Sequence, residues 1–105
     1  MILKLYKERI KAGKRPKDGE FDRSFKEFKE IYDEHGVRVI GVWENVDDPY
    51  EGYLVTAYRD NAHYEETVAK LRANSKYKDL TKDLDEYRES IEVTTLKLVP
   101  GSPEC

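Results

Sequence analysis

The sequence predicts an α+β protein with a ferredoxin-like βαββαβ fold. Three observations point there. Segments rich in β-branched and aromatic residues alternate with segments whose apolar residues recur every three or four positions. Their order is strand, helix, strand, strand, helix, strand, and a loop of about six residues joins the middle two strands, which suits an antiparallel hairpin. With right-handed crossovers, this order lays the helices on one face of a four-stranded antiparallel sheet.

Each element has its own signal. Ile2, Leu3, Leu5, Tyr6 and Ile10 make residues 2–10 a strand, punctuated afterwards by Gly13, Pro16 and Gly19. From about Gly19, Phe21, Phe25, Phe28 and Tyr32 fall on one helical face with Ile31 beside them, and Gly36 is placed to stop the helix. Residues 37–45 (VRVIGVWEN) form the second strand, Asp47-Asp48-Pro49 a turn, and residues 52–59 (GYLVTAYR) the partner strand. Asp60 and Asn61 are candidate caps for a helix carrying Tyr64, Val68 and Leu71 on one face. Asn74-Ser75 interrupts it, and Ser75 is placed to cap a continuation in which Tyr77, Leu80, Leu84 and Tyr87 recur. Residues 91–99 (IEVTTLKLV) supply the last strand before Pro100, Gly101 and Pro103.

A chain of 105 residues has room for one small core, so a single domain over residues 1–100 with a loose tail over 101–105 is expected. Only 38% of the residues are hydrophobic, but eight Tyr, three Phe and one Trp bury much area per residue, so disorder does not follow from the charge content. No stretch approaches a membrane span, and the start becomes charged before a secretory apolar region forms, which reads as cytosolic. The lone Cys105 has no intrachain partner, so it reads as a tail thiol rather than part of a disulfide or metal cage. Net charge is −3 and basic residues alternate with acidic ones, as in KEFKE and DEYRE, so no nucleic-acid footprint is present. Richness in Lys and Glu with no Gln points to a heat-adapted source.

The strands carry apolar groups on both faces. Val37, Val39 and Trp43 alternate with Ile40 and Val42; Tyr53, Val55 and Ala57 oppose Leu54 and Tyr58; Ile91, Val93 and Val99 oppose Leu96 and Leu98. Helices cover one face only, and an exposed apolar sheet of that size marks an interaction surface. A second copy, paired sheet to sheet about a two-fold axis, is the simplest cover, with a monomer and a partly wet sheet as the alternative.

Residues 35–71 (HGVRVIGVWENVDDPYEGYLVTAYRDNAHYEETVAKL) resemble the NIPSNAP family of dimeric α/β-barrel proteins. The resemblance rests on His35-Gly36 before a strand with Gly41, Val42 and Trp43, on a following strand ending in Tyr58-Arg59, and on Asp60 to Glu66 opening a helix; Tyr77 and residues 91–99 extend it. It implies a ferredoxin-like protomer that dimerises through its sheet. It implies little chemistry, and the wider superfamily's monooxygenase, isomerase and haem-handling activities transfer by fold analogy alone.

Two histidines are candidates for proton transfer. His35 ends the first helix, where capping of the last-turn carbonyls is the favoured reading over proton transfer. His63 lies in a first helical turn with Glu66 at i+3, a geometry for a general base or for a solvated turn. Neither belongs to a metal-ligand motif, so no metal and no cofactor are expected. Tyr58, Arg59 and Trp43 are the candidate ligand-binding residues, with Arg38 a further cation, provided the third strand faces a cavity; Trp43 and Tyr58 share a face only in one strand register. The leading expectation is a homodimeric small-molecule-binding or protein-interaction module. The alternatives are a cofactor-independent monooxygenase or isomerase using His63 or His35, and a haem-binding protein.

Overall fold

A computed structural model describes residues 1–13 and 20–101, the side chains of 20–24 excepted. Pro16, Gly19, Pro103 and Cys105 lie outside the described residues, as does the side chain of Phe21. The elements run β1 (Ile2–Ile10), α1 (Glu20–Glu34), β2 (Arg38–Glu44), β3 (Glu51–Tyr58), α2 (Asn61–Ala73), α3 (Ser75–Tyr87) and β4 (Arg88–Lys97). The four strands form one antiparallel sheet in the order β2-β3-β1-β4, the ferredoxin-like arrangement the element order predicts.

Local chemistry sets the boundaries. Gly36, at φ +71°, takes the left-handed conformation that ends α1, and the His35 ring Nδ1 lies 2.8 Å from the Ile31 carbonyl oxygen that the last turn leaves open. Asp60 caps α2 by accepting from the His63 backbone N–H at 2.8 Å. Asn74, rather than Ser75, caps α3: its side chain accepts from Tyr77 N–H while its own N–H goes back to the Leu71 carbonyl, so one residue closes one helix and opens the next. The β2–β3 loop is held by Asn45 and Asp48, whose side chains accept from the backbone N–H groups of Asp47 and Tyr50.

β4 begins at Arg88, three residues before its apolar run, and ends at Lys97, leaving Leu98 and Val99 outside it. Its polar start pairs with the end of β1 through a register shift at Arg9/Ile10. Arg88 donates to Glu8 at 3.1 Å and also contacts Asp85, pinning the α3–β4 junction to β1.

The core lies between the sheet and the helices. Ile31 and Tyr32 of α1, Val37, Tyr58 of β3 and Leu71 of α2 are buried, with Phe28, Ile2, Val39, Leu54, Tyr64, Tyr77 and Leu80 packed on them. Pairing of Ile2 with Tyr58, Lys4 with Thr56 and Tyr6 with Leu54 puts these residues on the helix side. Leu3, Leu5, Val55, Ala57 and Leu96 therefore line the outer side.

One strand departs from simple alternation. A bulge between Val39 and Gly41 inserts a residue into β2, so Val39 pairs with Thr56 on the helix side while Trp43 pairs with Tyr53 on the outer side. Val39 and Trp43, expected on one face, lie on opposite faces, because the extra residue reverses the parity of everything after it.

Candidate functional site

The helix side of the sheet carries an unusual amount of polar chemistry for a small core. Tyr6 from β1, Tyr58 from β3, Tyr64 from α2, and Tyr32 and Tyr77 from α1 and α3 meet in one layer. Tyr58 stacks edge-to-face on Tyr64 with centroids 5.0 Å apart, and Tyr77 makes like contacts with Phe28 at 5.8 Å and Tyr32 at 6.4 Å. The ring bodies supply packing while the hydroxyls need partners. The Thr56 hydroxyl donates to the Tyr58 hydroxyl at 3.4 Å, and the Tyr6 hydroxyl interacts with both. Burial, reinforced by neighbouring phenols, pushes Tyr6 and Tyr32 far above the ordinary phenol range, and burial also raises Tyr58. These three phenols are thus neutral donors at physiological pH.

Lys4 lies in the same layer and is only 7% exposed. It sits between Ile2 and Tyr6 on the helix side of the central strand β1. Its ammonium donates to Thr95 Oγ1 at 2.6 Å and stands 3.9 Å above the Tyr64 ring.

His63, also 7% exposed, is enclosed by backbone. Nδ1 accepts from the Arg59 N–H at 3.1 Å, which fixes the proton on Nε2, and Nε2 faces the His35 carbonyl oxygen at 3.4 Å. Its ring also meets Tyr58 edge-on at 5.6 Å. The imidazole bridges the β3–α2 corner to the α1–β2 corner, and it is these backbone groups, not Glu66, that engage it. The most buried positions of α2 are His63, Thr67 and Leu71, with Tyr64 and Val68 only half-buried; Thr67 is satisfied by donating to the His63 carbonyl at 2.8 Å.

The structure thus brings His63 and Tyr58 together and leaves Arg59 exposed beside them. Trp43 is 50% exposed on the other face, its ring folded back over Gly41, where an added Cβ would meet Trp43 Cη2 at 2.8 Å. His35 is held at its helix end. Arg38 pairs opposite Ala57 on the outer side and is exposed. Sequence reasoning missed Lys4, Tyr6, Tyr32 and Thr56 as site residues. Strand parity offered a signal for two of them, since Lys4 falls between Ile2 and Tyr6 at spacings of two.

Among the described residues, no three His, Cys, Asp or Glu side chains gather as a metal cage, and no helix is long and apolar enough to cross a membrane.

No family model and no curated protein matches the chain. Solved structures do. An uncharacterised NIPSNAP domain protein from Burkholderia xenovorans superposes with a TM-score of 0.77 at 21% identity, over 99% of this chain and 100% of that one. A NIPSNAP family protein of unknown function from Agrobacterium tumefaciens gives 0.82 at 20% identity, covering 98% and 92%. A cofactor-independent oxygenase from Streptomyces nogalater gives 0.72 at 10% identity, covering 98% and 97%. At these identities the likeness is one of fold, and it spans nearly the whole chain.

Proposed function

We propose that the chain is a homodimeric small-molecule-binding protein that pairs through the outer face of its sheet and holds a small, partly apolar ligand against the tyrosine layer on the helix side. The observation that carries the binding role is the meeting of the Tyr6, Thr56 and Tyr58 hydroxyls, three polar groups gathered in an otherwise apolar layer. A binding site needs a few fixed polar groups in an apolar wall, and this layer supplies them. The shared fold with a cofactor-independent oxygenase supports a small-molecule role by analogy.

The observations favour binding over catalysis by His63. A general base needs a free ring nitrogen within reach of the substrate proton. Both nitrogens of His63 face backbone groups. The outer face fits self-pairing, since Leu3, Leu5, Val55 and Leu96 lie there with no helix above them and Trp43 stands half-exposed at its side.

Amide NMR titration with naphthol, a neutral planar probe with one hydroxyl, tests the binding role. Shifts confined to the helix-side residues of β1, β3 and α2 are expected, with affinity lowered about tenfold in Tyr58→Phe, the loss of one hydrogen bond. Absence of shifts at saturating probe would contradict the proposal.

A further inference from the structure

The polar chemistry does not stop at the tyrosines. Lys4 is nine-tenths buried, yet its ammonium has three protons and its described partners are one hydroxyl and one ring face, both uncharged. Among the described residues no carboxylate lies within ion-pair distance of it. The carboxylates that meet β1 go to Lys7, Arg9 and, through Glu8, to Arg88. A buried cation without a counter-charge is costly, and the cost falls when an anion arrives.

What lies beside Lys4 determines the shape of that anion. β4 is an edge strand, and its helix-side residues pair with those of β1: Thr95 with Lys4, Val93 with Tyr6, Ile91 with Glu8. Val93 is 49% exposed and Ile91 40%, so an apolar strip lies open next to the buried ammonium. Lys97, paired with Ile2 on the same side, adds a second positive charge beyond Lys4. At the far end the Glu8–Arg88 pair closes the strip with charges already matched. From Lys4 to Glu8 is four residues of extended chain, about 13 Å. The strip is therefore cationic at one end, apolar along its length and electrically satisfied at the other.

We infer that this strip binds a small amphipathic anion, a carboxylate on a planar or aliphatic apolar body, with its head on Lys4 and Thr95 and its body over Tyr6, Val93 and Ile91. The inference rests on the small-molecule reading of the same layer and adds the ligand's charge and orientation. Charge complementarity selects this occupant. A neutral ligand would leave the Lys4 ammonium unmatched, and a cationic one would meet it and Lys97 head-on.

Matched probes test it on the intact chain: naphthoate and its neutral isostere naphthamide, titrated separately and followed by the amide resonances of Val93, Thr95 and Tyr6. The carboxylate should bind about tenfold more tightly than the amide, since it alone brings a counter-charge to the ammonium. Lys4→Met should abolish that preference by weakening naphthoate far more than naphthamide, while Lys4→Arg should keep it. Equal affinities in the wild-type protein overturn the anion inference and leave the binding site standing, a result that needs no variant to fold. Binding of neither probe overturns both. Shifts confined to the outer face, or strip resonances that move with protein concentration in the absence of probe, overturn the inference by placing the probe or a second copy where the anion should not be or should be.

Discussion

His63 shows how a buried polar residue can serve the fold while looking like a catalyst. Its ring accepts from the Arg59 N–H and faces the His35 carbonyl, joining two corners of the chain that are 28 residues apart in sequence. Removing it in His63→Ala orphans both backbone groups and leaves a void against Tyr58, so stability should fall by about 1–3 kcal/mol. Urea denaturation measures this. A loss below about 0.5 kcal/mol, the scale of ordinary surface changes, would contradict the strut role. Residues of this kind escape a reading of apolar spacing. Along α2 the stripe Tyr64, Val68, Leu71 is visible, but the deepest positions alongside Leu71 are His63 and Thr67, whose burial depends on backbone partners that no spacing reveals. Lys4 is hidden in the same way: a lysine in a strand reads as solvent-facing until its neighbours in space are known.

At the scale of elements, the strands and helices were legible because their periodicities of two and three to four are direct consequences of side-chain direction. β1 spans Ile2–Ile10, the range its apolar residues mark out, and the split at Asn74-Ser75 divides α2 from α3 where the sequence interrupts. The bulge in β2 was not legible. VRVIGVW alternates acceptably without it, and only pairing with β3 shows that Val39 and Trp43 part company, which separates Trp43 from Tyr58 and divides the expected ligand set between two faces.

The hairpin that carries β2 and β3 also has a pH signature. Arg9 donates to Asp48 and holds its carboxyl below the usual range, with help from the Tyr50 N–H, while Asn45, Tyr53 and Lys7 do the same for Glu51. A carboxyl whose pKa is lower in the folded state than in the unfolded chain adds stability above its unfolded value. That stability disappears as pH falls through the folded value, here below about pH 4. Glu8 works in the opposite sense, because burial raises it more than Arg88 lowers it, so its contribution is greatest in acid and is lost as pH rises through its folded value. Melting temperatures should therefore drop between about pH 6 and about pH 3, and drop less in the Asp48→Asn, Glu51→Gln double variant. An equal drop in the two proteins would show that the hairpin carboxylates do not govern acid stability.

For the whole molecule, the sheet has two faces with different chemistry. The helix side holds five tyrosines, a buried lysine and a histidine locked in place. The outer side presents Leu3, Leu5, Val55, Ala57 and Leu96, with Trp43 half-exposed and Leu96 38% exposed, and ends in the Lys7–Glu51 pair. That both faces carry apolar residues was plain in the sequence, because alternation failed to produce a polar side in three strands. Which face would carry the polar tyrosine network was not, because that depends on register.

If the outer face is an interface between copies, covering it leaves the helix side free for ligand, and the two roles do not compete for surface. The mass of the protein in solution tests this division of labour most directly. Pairing through the outer face predicts, by light scattering at micromolar concentration, a particle of twice the 12.4 kDa chain mass. A particle of 12.4 kDa at that concentration would contradict it.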